Sequence, residues 1–88
     1  MKKSIQVVEV EDEGFMALMD QRVTIYTIDY IYTGKLIGVN DTCILLHEPS
    51  IVFETGAFTD KEWKNVQRLP NDFWYIQVAN IVSFGIMK

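Results

Sequence analysis

The residues of this chain that could do chemistry fall into three groups. Cys43 and His47 stand four apart in "CILLHEP". A thiol and an imidazole make metal ligands or a nucleophile and its base. An even spacing puts both on one side of a strand. However, the chain holds one cysteine and one histidine, too few for a zinc signature. Packing is the better reading, with no metal, no cofactor and no catalytic residue expected. The second group is the acidic run Glu9, Glu11, Asp12 and Glu13. It lacks the alternating carboxylates and central glycine of a calcium loop, so it reads as a solvated face serving a helix N-terminus. The third group is suited to binding. Asn40, Asp41 and Thr42 fall in one turn, and Gln77 and Asn80 flank another. Such side chains can hydrogen-bond the edges of unpaired bases. Lys61, Lys64 and Arg68 are spaced three and four apart. That spacing gives them one helix face, able to neutralise phosphates.

The elements that must position these residues read as mostly β. "VTIYT" alternates apolar and polar residues as a half-buried strand does. "YIYTGKLIGVN" is long, and "TCILLHE" follows it after the turn-forming pair Asn40-Asp41. Pro49 kinks that strand before "IVFET" resumes. "FWYIQV" and "IVSFGI" are two further strands separated by Ala79-Asn80. "SIQVVEV", from Ser4 to Val10, is read as extended. Phe15, Met16, Leu18 and Met19 stand at helical spacing, which predicts a short amphipathic helix over 13–20. A polar insertion over about 55–72 carries a capping box, Thr59-x-x-Glu62. That box predicts a helix over 60–67, with Trp63 and Val66 turned toward the barrel.

Length and charge bound the function. Eighty-eight residues, 49% of them hydrophobic, make one domain, with the barrel expected over about 22–88. A net charge of −4 argues against a general nucleic-acid coat but not against a local basic patch. The lone cysteine, the lack of an apolar signal segment and the lack of a membrane-length run point to a cytoplasmic protein with no membrane partner.

Gly34 and Gly38 sit in the most strand-like stretch of the chain. A glycine there relieves crowding where a long strand bends across a small barrel, and Gly38 is expected at that bend. The string "GKLIGVNDTCILL" resembles the first motif of the Sm-like (LSm) family. The match runs through Gly34, Leu36, Gly38, Val39 and Asn40, with Leu45-Leu46 continuing the aliphatic run. "IQVANIVSF" occupies the place of the family's second motif, and the resemblance spans residues 13–87. It implies a small, strongly bent five-stranded antiparallel barrel with an N-terminal helix. It also implies a closed homo-oligomeric ring in which the fourth strand of one subunit pairs with the fifth of the next. Phe73, Trp74, Tyr75, Ile76, Ile81, Val82, Ser83 and Phe84 are the interface this implies. Those strands lack the prolines and charges that protect an exposed edge.

The resemblance also implies a non-enzymatic protein that binds RNA or single-stranded DNA through the two turns. Here the sequence departs from the family. The stacking position holds Thr42 or Cys43, the asparagine position holds Ile44, and the usual Arg-Gly is Gln77-Val78. Asn40, Asp41, Thr42, Gln77 and Asn80, with the Lys61, Lys64 and Arg68 face, are the candidate binding residues. The competing expectation is a structural or adaptor ring that keeps the fold without base recognition.

Overall fold

The computed structural model describes residues 14–87. The expected strand Ser4 to Val10 and the acidic run 9–13 lie outside them. Six strands form one antiparallel sheet: β1 (Arg22–Thr27), β2 (Ile31–Val39), β3 (Cys43–Glu54), β4 (Asn65–Arg68), β5 (Phe73–Gln77) and β6 (Ile81–Ile86). The order is β4-β3-β2-β1-β6, with β5 pairing β3 off that path. Among the described residues β5 and β6 do not pair, so the sheet is open rather than the closed barrel expected. The helix expected over 13–20 is only a 3₁₀ turn, Gly14–Leu18. Gly14 enters it at φ +65°, a conformation that suits glycine and not helix propagation.

The twelve residues of β3 organise the rest. Cys43–His47 pair with β5, and Ser50–Glu54 pair with β4. Between them Glu48 takes φ 54° and Pro49 is fully buried. β3 spends three residues there, from His47 to Ser50, against two on β2, from Lys35 to Thr33. This bulge bends the strand without ending it, the kink expected at Pro49. A second bulge lies on β2 between Leu36 and Gly38.

The crowding that the glycines relieve belongs to Gly34. A Cβ there would meet the Leu46 Cβ at 3.1 Å and the His47 carbonyl oxygen at 3.2 Å. At Gly38 a Cβ would meet the Leu45 Cβ at 3.4 Å, an ordinary contact. Gly34, not Gly38, is therefore the glycine that the bend requires.

The helix expected over 60–67 is absent. Turns lead instead into β4, which supplies partners for the second half of β3 that would otherwise be an open edge. That fourth strand is why six strands replace the expected five. Glu54 anchors the pairing, accepting a hydrogen bond from the Asn65 side chain at 2.7 Å and forming an ion pair with Lys64 at 3.4 Å.

Alternation builds two buried layers. Inside the curve, Val23, Ile25, Leu36, Ile44, Leu46 and Ile76 form the core. Outside it, Thr24, Thr33 and Ser50 face one another across three strands and are buried. Trp63 is buried with them, its indole N–H donating to the Thr24 hydroxyl at 3.3 Å. Small hydroxyl side chains leave room for the indole and satisfy its nitrogen. The insertion thus covers one half of the outer face. The half formed by β5 stays open.

Candidate functional site

The β2–β3 turn and the β5–β6 turn lie side by side, because β5 runs antiparallel to the start of β3. The Val78 amide donates to the Thr42 carbonyl at 2.9 Å, which ties the two turns together. Between them opens a depression of about 650 Å³, lined by Asp41, Thr42, Cys43, Tyr75, Gln77, Val78 and Ala79. Asp41, Thr42 and Gln77 are exposed there, presenting carboxylate, hydroxyl and amide groups toward one space.

Asn40 serves the turn itself. Its Oδ1 accepts hydrogen bonds from the Thr42 amide at 2.8 Å, the Thr42 hydroxyl at 3.1 Å and the Cys43 amide at 2.9 Å. This is the local turn chemistry of asparagine, and it takes the side-chain oxygen away from base reading. Asn80 lies apart from the depression. It borders a smaller recess of about 150 Å³ with Asp29, Tyr32, Trp74 and Gln77. Burial pushes the Tyr32 phenol above its ordinary pKa, opposed by a hydrogen bond with the Trp74 side chain.

The basic face expected of Lys61, Lys64 and Arg68 does not form, since it required a helix. Lys64 pairs with Glu54, and Arg68 pairs with Asp72 at 3.9 Å. Both residues flank the far half of β3, away from the two turns. A different row crosses the outer face nearer the depression. Arg22, Lys35, His47 and Phe73 are direct cross-strand neighbours on β1, β2, β3 and β5. Arg22 has an ion-pair partner in Glu48 at 3.8 Å. Lys35 has none among the described residues. The His47 and Phe73 rings lie 5.1 Å apart.

Among the described residues, the strands expected to form an interface each keep an open edge. The Glu48 amide donates to the Asp72 carbonyl, and the Val78 amide to the Thr42 carbonyl. Antiparallel alternation then turns the amides of Trp74 and Ile76 toward β3 and those of Phe73, Tyr75 and Gln77 outward. On β6, the Met87 amide donates to the Arg22 carbonyl at 3.0 Å. The same counting turns the Phe84 and Ile86 amides outward, while that of Ser83 serves β1. Side chains divide differently. Ile76 is buried in the core and Trp74 packs against it, so neither offers its side chain to a neighbour on the outer face. Phe73 and Tyr75 point outward and are exposed. Ile81 packs against the core, and Val82 is exposed. Phe84 and Ile86 continue the inner face of Val23 and Ile25, yet remain 37% and 63% exposed, since no other described strand pairs with β6. Phe84 stacks on Phe15 at 4.0 Å.

Tyr75 is the residue whose role here sequence reasoning missed. It was expected in the interface, and its ring stands at the mouth of the depression. Alternation in "FWYIQ" did place it with Phe73 on one face; that this face runs up to the turns required the strand pairing. Among the described residues no group of three or more His, Cys, Asp or Glu side chains could hold a metal, and no helix is long and apolar enough to cross a membrane. Comparison with protein-family models, with curated proteins and with solved structures finds no match to this chain.

Proposed function

We propose that this chain is a divergent Sm-like subunit that closes into a homo-oligomeric ring and binds RNA or single-stranded DNA without catalysing a reaction. The observation that carries the proposal is the arrangement of β5 and β6. They follow one another through the three-residue turn Val78–Asn80, do not pair, and among the described residues each leaves one edge open. A sheet ending in two complementary edges satisfies both by pairing β5 of one copy with β6 of the next. The same step covers Phe84 and Ile86, which one chain alone leaves partly in water. The strand order and the place of the two turns agree with the resemblance in "GKLIGVNDTCILL".

The nucleic-acid half of the proposal is supported by the depression between the turns. Asp41, Thr42 and Gln77 converge there beside an exposed aromatic ring. Repetition around a ring lets several weak sites act on one strand. Fluorescence anisotropy with labelled oligo-U, oligo-A and mixed single-stranded DNA at two salt concentrations tests it. Binding is expected to strengthen with oligonucleotide length and weaken with salt, by about −0.7 in log–log slope for each phosphate neutralised. No binding of any of them at low salt refutes it. That result favours a structural or adaptor ring, the reading supported by the ion pairs of Lys64 and Arg68 and by the net charge of −4.

A further inference from the structure

The outer face of β3 and β5 carries more than the depression between the turns. Register places Phe73 beside His47 and Lys35, and Tyr75 beside Leu45 and Gly38. These are two parallel rows across three strands. Phe73 and Tyr75 are 52% and 68% exposed, with their inward neighbours Trp74 and Ile76 packed on the core. Two residues apart on one strand, their Cα atoms stand about 6.7 Å apart along it. Gly38 adds room. Its missing side chain leaves a second depression of about 240 Å³, lined by Gly38, Val39, Asn40, Cys43, Leu45 and Tyr75. Tyr75 therefore forms a ridge between two hollows, one edged by Asp41, Thr42 and Gln77 and the other by Gly38 and Leu45. Gly38 adjoins the second bulge, on β2, a common place for a strand glycine, and with no side chain it leaves the outer face open there.

We infer that this face is a stacking platform for two successive bases of a single-stranded nucleic acid, one on Phe73 and one on Tyr75, with Lys35 held for the phosphate between or beside them. The inference rests on the nucleic-acid reading above and extends it from the depression between the turns, across Tyr75, onto the adjoining sheet face. Exposed aromatics on a sheet face give sequence-tolerant stacking, because every base has a π-face. The neighbouring cation selects this occupant over an apolar protein surface: Lys35 has no ion-pair partner among the described residues and lies in the row of Phe73. Gln77, on the turn side of Tyr75, is placed to donate and accept at the edge of the base stacked there, and the Thr42 hydroxyl, whose proton goes to Asn40, to accept. Ring closure leaves the platform open. Edge pairing extends a sheet sideways, and the outward residues it would bring from β6, Ser83 and Gly85, are small.

The test is anisotropy with labelled mixed single-stranded DNA and oligo-U, on the full chain and on Phe73→Ala, Tyr75→Ala, Tyr75→Trp and Lys35→Gln, with native mass recorded for each. Each alanine variant is expected to weaken binding about 5- to 150-fold at unchanged mass. Tyr75→Trp should bind as tightly as the parent or more so. Lys35→Gln should lower the salt slope by about 0.7. Parent-like binding by both alanine variants overturns the platform alone and leaves binding at the turns. A fall in native mass for either alanine variant also overturns it, by showing the face to be a contact with a second copy. No binding by the parent chain overturns the nucleic-acid reading itself.

Discussion

Gly34→Ala and Gly38→Ala are expected to affect stability in opposite directions, although both sit in β2 and both match the same sequence motif. Neither glycine has positive φ, so alanine meets no backbone obstacle at either position. The difference is space. At position 34 the new methyl would sit 3.1 Å from the Leu46 Cβ and 3.2 Å from the His47 carbonyl oxygen. Both belong to the backbone or its root beside the β3 bulge, so neither can swing aside. Overpacking of this kind costs about 1–3 kcal/mol, and loss of glycine's freedom in the unfolded chain offsets about 0.4–1 kcal/mol. The net is a destabilisation of about 1–2 kcal/mol, or roughly 4–16 °C in Tm for a domain this small. At position 38 only the ordinary 3.4 Å contact with Leu45 arises. The unfolded-state term then dominates, and Tm should hold or rise by a few degrees. Thermal melts by circular dichroism at one fixed protein concentration measure both, since any assembly makes Tm concentration-dependent. Equal losses at the two positions, or a larger loss at Gly38, would refute the assignment of the bend to Gly34.

Trp63→Ala should cost about 3–5 kcal/mol, because the indole fills the space over Thr24, Thr33 and Ser50; Trp63→Phe should cost less, losing chiefly the bond to Thr24. Urea unfolding measures both, and a near-neutral Trp63→Ala would show that the insertion does not hold the sheet. Tyr32 binds its proton more tightly folded than unfolded. Its contribution is therefore full below the ordinary phenol pKa of about 10 and is lost as pH rises past that value through the raised folded one. Tyr32→Phe should reduce the loss of stability above about pH 10; an unchanged alkaline limb in pH-dependent melts counts against it. Ile86→Pro removes an amide that points to the open edge of β6, so the subunit should fold and fail to assemble. A variant that still assembles at parent mass would place the contact elsewhere.

The strands were largely legible in the sequence because alternation and turn residues are local signals. "VTIYT", "FWYIQV" and "IVSFGI" became β1, β5 and β6 nearly as bounded. The insertion was not. Thr59-x-x-Glu62 is a valid local helix start, but the exposed half of β3 offered backbone partners and Trp63 offered a buried anchor. Tertiary pairing outweighed about two turns of helix propensity. The N-terminal pattern failed similarly, since Gly14 at φ +65° replaces a helical turn. For the candidate site, the sequence identified the two turns but not which atoms they leave available. Asn40 looked like a base reader and is the acceptor that holds its own turn. The basic face vanished with its helix, whereas the row of Arg22, Lys35, His47 and Phe73 comes from four strands and only register assembles it.

The central claim is that the open edges of β5 and β6 meet in a closed ring, and the native mass tests it most directly. Light scattering after size exclusion, at micromolar concentration and with and without oligo-U, should show one compact species of about five to eight copies. Its mass should not depend on further dilution over a modest range. A single peak at the 10.2 kDa of one chain, unchanged by oligonucleotide, would contradict the account.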